Sequence, residues 1–161
     1  MKFLTICTLL SFTLLGTSCT KKEESKEETT PAVQSTGTSN QISLSSVGET
    51  MSYDKNDLTV KSGENITLTF KNNSSTLQHN WVLTKPGTEN DVGMAGIKAG
   101  PTKSFITDDP AVAPDILAHT ALVNPGQSDT LTFKAPPTGD YPFICTNAGH
   151  HTVMKGVLHS K

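Results

Sequence analysis

One cysteine, two adjacent histidines and a methionine stand close together in CTNAGHHTVMKG, residues 145–156. Thiolate, imidazole and thioether are soft and borderline ligands, a combination that suits copper. A tight loop between two strands would bring Cys145, one of the two histidines and Met154 to one end of a β-domain. A second imidazole is then needed to complete a trigonal plane. His79, in QHNWVL (78–83), is the candidate. It follows a polar turn, 72–78, and opens a strand whose Trp81 and Leu83 would point inward. Taken singly, these residues have blander readings: Cys145 as a small core residue, His79 as a satisfied polar group at a strand edge, Met154 as core. Together, each ligand type at its place on elements that should meet favours a metal. The remaining histidines, His119, His151 and His159, read as surface residues.

The elements that must hold these side chains are short strands. Alternation is clear at 65–70, with Ile66, Leu68 and Phe70 inward, and at 128–134, with Leu131 and Phe133 inward. Further strands are expected at 42–47, 57–60, 81–84, 120–123, 139–145 and 153–159. Tyr141, Phe143 and Cys145 fall on one face of their strand. Turn signals separate the strands at Ser62-Gly63, Asn72-Asn73-Ser74, Pro125-Gly126 and Pro136-Pro137-Thr138-Gly139. The pattern implies an all-β fold, an antiparallel Greek-key sandwich or barrel. One long segment, 85–118, lacks alternation and contains scattered Gly and Pro. It is expected to be an excursion with one short helix, lying over the side of the sandwich.

The N-terminal part is of a different kind. Residues 1–18 read as a secretory signal: Lys2, the apolar run 3–15, then Gly16-Thr17-Ser18. The run is too short for a membrane-spanning helix. Cys19, directly after small residues, resembles a bacterial lipoprotein processing site, although the usual apolar residue three before the cysteine is Gly16 here. After Cys19, the stretch TKKEESKEETTPAVQSTGTSNQ has too little apolar surface to offset its chain entropy. Residues 19–41 are therefore expected to be a lipidated cysteine with a disordered tether, reaching about 25 Å. Residues 42–161 form the domain. It carries nine lysines, eleven acids and no arginine, which argues against nucleic acid as a partner. With Cys7 removed and Cys19 lipidated, Cys145 has no disulfide partner and is an exported thiol that must be buried or used.

QHNWVL (78–83), LAHTALVNPGQSDTLTF (117–133) and YPFICTNAGHHTVMKGVL (141–158) resemble the blue copper proteins of the cupredoxin family, of azurin and auracyanin type. The resemblance covers nearly all of 42–161. It implies a cupredoxin-like copper domain with one type 1 copper, held by His79, Cys145 and His150 in the plane and by Met154 as a weak axial ligand. The azurin-like spacing Cys-x4-His-x3-Met selects His150 over His151. In azurin the carbonyl before the first histidine also approaches the metal; that residue is usually glycine and is Gln78 here. Asn80, Thr146 and Asn147 are expected around the ligands, with backbone N–H groups near Asn80 and Asn147 aimed at the sulfur and the Asn80 side chain joining the two ligand loops. Asn147 and Ala148 replace residues that are often bulky or proline. Ala148 frees a backbone N–H that proline lacks, so the reduction potential is expected to be raised.

A trigonal His2Cys site with a long axial sulfur serves Cu(I) and Cu(II) tolerably well, so little moves when an electron arrives. Three functions compete on this footing. An electron carrier would deliver its electron through the His150 edge to a transient redox partner docking on a modest apolar patch, with Leu77, Ala148, Gly93-Met94-Ala95 and Val153 as its expected lining. A copper storage or delivery protein would show open Met- or His-rich loops, of which there is little. An enzyme such as a copper nitrite reductase would need a second copper centre, with His-x-His pairs and further domains, and neither feature is present.

Overall fold

The structure, a computed structural model, describes residues 40–161. The expected signal at 1–18, Cys19 and nearly all of the tether lie outside the described residues. Eight strands follow in order: β1 (Gln41–Ser45), β2 (Asp57–Val60), β3 (Asn65–Lys71), β4 (Val82–Thr84), β5 (Ile116–His119), β6 (Ser128–Lys134), β7 (Gly139–Ile144) and β8 (Lys155–Ser160). One helix, α1 (Glu89–Ala99), lies between β4 and β5. β1 begins at Gln41, one residue inside the expected tether.

The strands form two sheets, β1-β3-β6 and β2-β8-β7-β4-β5. They are mixed, not purely antiparallel: β1 runs parallel to β3, and β2 parallel to β8. The alternating pattern of β3 puts Ile66, Leu68 and Phe70 wholly inside. Across the antiparallel ladder Ile66 stands opposite Phe133 and Leu68 opposite Leu131. On the outer face Thr67 pairs with Thr132 and Thr69 with Thr130 through their hydroxyls, at 3.3 and 3.0 Å, the cross-strand pairs that stabilise a solvated face. The inner faces of both sheets share one core, which includes Leu44, Val60, Trp81, Leu83, Phe143, Cys145, Met154 and Leu158. Each large side chain buried in this way contributes roughly 1.5–3 kcal/mol of apolar transfer.

A second, smaller cluster of Val82, Val92 and Ile144 lies on the other face of β4 and β7, where α1 covers the sheet. This explains why β4 is buried on both faces. The helix has acidic Glu89 and Asp91 in its first turn and Lys98 in its last, in line with its dipole. Its buried residues are Val92, Gly93 and Gly96. This is the short helix expected within 85–118, and its two buried glycines give no apolar periodicity from which its bounds could be read.

One expected strand moves. The segment 120–123 is not a strand; β5 precedes it, at the end of the expected excursion, and pairs with β4 as His119↔Val82 and Ala118↔Leu83. Residues 120–123 are instead held by separate bonds, beginning with Thr120 N–H, which donates to the Trp81 carbonyl at 2.9 Å. Thr120 Oγ1 accepts the Trp81 N–H at 2.9 Å, and Asp129 Oδ2 accepts the Ala121 N–H at 2.8 Å. Only Val123 bridges, to His79.

Candidate metal centre

β7 ends at Ile144 and β8 starts at Lys155, so the ten residues between them form the loop at the end of the sandwich. The loop is closed on itself. Cys145 N–H donates to the Met154 carbonyl at 3.0 Å, and Met154 N–H to the His150 carbonyl at 2.7 Å. Gly149, at φ +82, turns the chain into a single 3₁₀ turn, His150–Thr152. A side chain with Cβ would be strained in that left-handed conformation. The loop thereby brings Cys145, His150 and Met154 to one end of the core, and Cys145 and Met154 are both wholly buried.

His79 arrives from the neighbouring segment, ahead of β4. Its backbone exchanges both hydrogen bonds with Val123, at 3.2 and 2.8 Å. The polar turn before it is ordered from inside by Asn72, whose Nδ2 donates to the carbonyls of Leu77 and Val123 at 2.8 and 2.9 Å. From outside, Glu49 accepts bonds from the Ser74, Ser75 and Thr76 hydroxyls and from Ser75 N–H. In the sequence Asn72 reads only as part of a turn and Glu49 carries no signal, because their partners are backbone groups or lie in another segment.

The side chains converge. Cys145 Sγ lies 3.8 Å from His79 Nδ1 and 3.6 Å from His150 Nδ1, and the three form the one group of potential metal ligands among the described residues. The two imidazole rings are 5.0 Å apart at 44°. His79 is wholly buried, and His150 keeps 7% of its surface exposed. His79 Nδ1 is the ring nitrogen that faces the sulfur, while Nε2, on the other side of the ring, is buried with no hydrogen-bond partner among the described residues. Bonds of about 2.0 Å to nitrogen and 2.3 Å to sulfur, the usual lengths for a first-row divalent ion, place N and S about 3.7 Å apart when they meet at 120°. The observed separations match that spacing, so the donor set fits a trigonal metal.

Burial governs the electrostatics. It pushes the Cys145 thiol up to about 11, against backbone N–H groups of Asn80 and Asn147 that aim at the sulfur and lower it. Burial, then the neighbouring His150, holds His79 down to about 4, with Glu49 pulling slightly the other way. Burial also lowers His150. In the metal-free protein at neutral pH the site therefore holds a thiol and two neutral imidazoles.

Around these groups the structure shows what each polar neighbour does. The Asn80 side chain bonds Thr146 twice, Nδ2 donating to Thr146 Oγ1 and Thr146 N–H donating to Asn80 Oδ1, both at 2.8 Å. The buried Tyr53 hydroxyl donates to the Asn80 carbonyl at 2.7 Å. Asn147 Nδ2 donates to the Gln78 carbonyl at 2.6 Å, while Gln78 Nε2 donates to Asn124 Oδ1 at 2.6 Å. Two expectations need correction. The N–H freed at Ala148 goes to Asn147 Oδ1, at 2.8 Å, and not to the sulfur. His151 is not a surface residue: it is 6% exposed and packs under α1 against Gly93, because successive residues of a 3₁₀ turn leave the axis about 120° apart. His119 is exposed, and His159 lies between Asp140 and Asp57, at 2.7 and 3.3 Å.

Comparison with known proteins agrees with the geometry. The family of copper binding proteins of plastocyanin/azurin type matches residues 21–160. Auracyanin-A of Chloroflexus aurantiacus is 40% identical over 119 residues, covering 73% of this chain and 72% of that protein. Azurin of Methylobacillus flagellatus is 33% identical over 121 residues, covering 70% and 80%. Among solved structures, dithionite-reduced auracyanin from Roseiflexus castenholzii superposes with a TM-score of 0.72 at 41% identity, covering 78% of this chain and 99% of that one. Auracyanin A, described as a "blue" copper protein, gives a TM-score of 0.70 at 38% identity, covering 75% and 98%. With its all-β cupredoxin sandwich and converging Cys and His donors, the chain belongs to the plastocyanin/azurin family of copper-binding proteins, as a blue copper electron-transfer protein with one type 1 copper and not an enzyme.

Proposed function

We propose that His79, Cys145 and His150, together with the buried Met154, would hold copper, and that the protein carries single electrons outside the cytoplasm. The observation that carries this reading is the approach of both Nδ1 atoms to the Cys145 sulfur, at 3.8 and 3.6 Å. Bound there, copper supplies a one-electron couple between Cu(II) and Cu(I). The chain's part is to keep three donors at fixed positions, exclude water, and leave one ring edge near the surface. His150, the partly exposed ligand, is that edge. Exposed Met94, Val153 and Ala148 and half-buried Leu77 and Ala95 support an apolar docking patch for a transient redox partner. Gly93 drops out of the expected lining, because it is buried against His151. The Gln78 carbonyl accepts the Asn147 Nδ2–H bond, and that bond is the role proposed for it.

The sequence supports export by the signal at 1–18, a lipid anchor at Cys19, and a tether through 41 that lets residues 42–161 sample the periplasmic side of a membrane. No helix among the described residues is long and apolar enough to cross a membrane. Storage or delivery of copper is the competing reading, and a set of buried, cross-braced ligands supports the carrier instead, since exchange needs an open path. Titrating the metal-free protein with Cu(II) tests the point. A carrier gives an intense blue band from thiolate-to-copper charge transfer, bleached at once and reversibly by a mild reductant. Slow bleaching, or loss of the metal to a weak chelator, would identify a storage protein.

A further inference from the structure

The residues that directly follow His79, Cys145 and His150 are Asn80, Thr146 and His151, and all three touch the excursion between β4 and β5. A Cβ built on Gly93 of α1 would overlap the His151 ring and come within 2.8 Å of His151 Cβ. One turn on, a Cβ on Gly96 would come within 2.9 Å of Thr146 Cβ and 2.5 Å of the Phe105 carbonyl oxygen. Asn80 Nδ2, besides its bond to Thr146, reaches the Ser104 carbonyl at 3.4 Å. Ser104 and Phe105 both adopt left-handed backbone, at φ 55 and 57, which non-glycine residues accept only where the surroundings impose it. The excursion is therefore shaped to meet the two ligand segments, with glycines where the helix must come close and a strained corner where a carbonyl must face Asn80.

We propose that α1 and the corner at 104–105 are the brace that fixes the ligand geometry, with His151 as the positioning residue that seats the 3₁₀ turn of His150 against Gly93. The proposal rests on the copper reading of the site. Residues 145–154 lie outside both flanking strands, and their backbone bonds run mostly within the loop. External fixing of this loop comes from Asn80, from the Asn147–Gln78 bond and from α1. Because consecutive residues share a rigid peptide plane, holding the residue after a ligand holds the ligand. His151 also has its Nδ1 buried without a partner. A side chain kept in place at that cost is held by its packing, and no polar bond accounts for its position.

The test combines Gly93→Ala, His151→Ala and the double variant. Amide hydrogen exchange is followed at 146–153 in the metal-free protein, and the reduction potential is measured in the copper-loaded protein. Gly93→Ala is expected to push His151 out of its seat, to speed exchange in the loop by about tenfold or more, and to shift the potential. In the His151→Ala background the seat is vacant, so adding Gly93→Ala should change exchange and potential much less. If Gly93→Ala alone does not fold, the double variant should fold, since its clash is gone. The brace is overturned if Gly93→Ala leaves both exchange and potential at wild-type values. It is equally overturned if its effect is as large with Ala at 151 as with His, or if the double variant also fails to fold. Loop exchange is read without metal, and the blue band of the wild type tests the copper reading separately, so the two failures are distinguishable.

Discussion

Asn80 and Thr146 bond each other in both directions, amide to hydroxyl and backbone N–H to amide oxygen, each at 2.8 Å and both fully buried. They join the residue after His79 to the residue after Cys145, 66 positions apart in the chain. Replacing Asn80 with Ala leaves the Thr146 N–H and hydroxyl without partners inside the protein, a loss of about 1–3 kcal/mol. Urea denaturation of the metal-free protein measures it. Wild-type stability in Asn80→Ala would contradict the structural role given to this pair.

Metal binding should release one proton at neutral pH. Burial keeps Cys145 a thiol, with its pKa raised to about 11, whereas His79, lowered to about 4, and His150, also lowered, are already neutral. The thiol must lose its proton to bind, and the imidazoles have none to lose. Calorimetry of metal binding in buffers of different ionisation enthalpy counts the protons. Zero or two per ion would show that the site is charged differently.

Glu49 gives the turn before His79 an acid-sensitive support. The Thr76 hydroxyl first, then Ser75 N–H and the Ser74 and Ser75 hydroxyls, lower its pKa from 4.5 to about 2. Its stabilising contribution is complete above the unfolded value near 4.5 and is withdrawn as pH falls from there through about 2. The stability difference between wild type and Glu49→Gln should thus be constant from neutral pH to about 5, then shrink on acidification. Thermal melts of the metal-free proteins across this range check it, and a difference that widens on acidification contradicts it.

Ala148→Pro should lower the reduction potential. Proline removes the N–H that Asn147 Oδ1 accepts and restricts the backbone of Asn147, the residue whose N–H faces the sulfur. Weaker donation to the thiolate disfavours the electron-rich reduced state. Voltammetry of both proteins decides it; an unchanged or higher potential in the variant goes against this reading of the loop.

Much of this molecule was legible in its sequence because the signals are local. Ile66, Leu68 and Phe70 alternate on β3, and Cys145, His150 and Met154 fall within one loop whose spacing resembles azurin-like proteins. What escaped depends on distant partners. A short helix is expected within 85–118 and is found, but its bounds could not be read, because α1 buries two glycines and leaves no apolar stripe. Residues 120–123 read as a strand, yet Thr120 and Val123 are used one at a time, to pin Trp81 and His79. His151 looked like a solvated neighbour of His150, because only the fold places Gly93 above it. The parallel pairing of β1 with β3 and of β2 with β8 likewise leaves no trace in the alternation, which is the same for either direction.

X-ray absorption at the copper edge, taken on the loaded protein in both oxidation states, tests the central claim most directly. One short sulfur neighbour and two imidazole nitrogens should be present in each state at nearly unchanged distances, and the short sulfur should vanish in Cys145→Ser. A copper shell of nitrogen and oxygen alone in the wild type, or one that rearranges on reduction, would contradict the account.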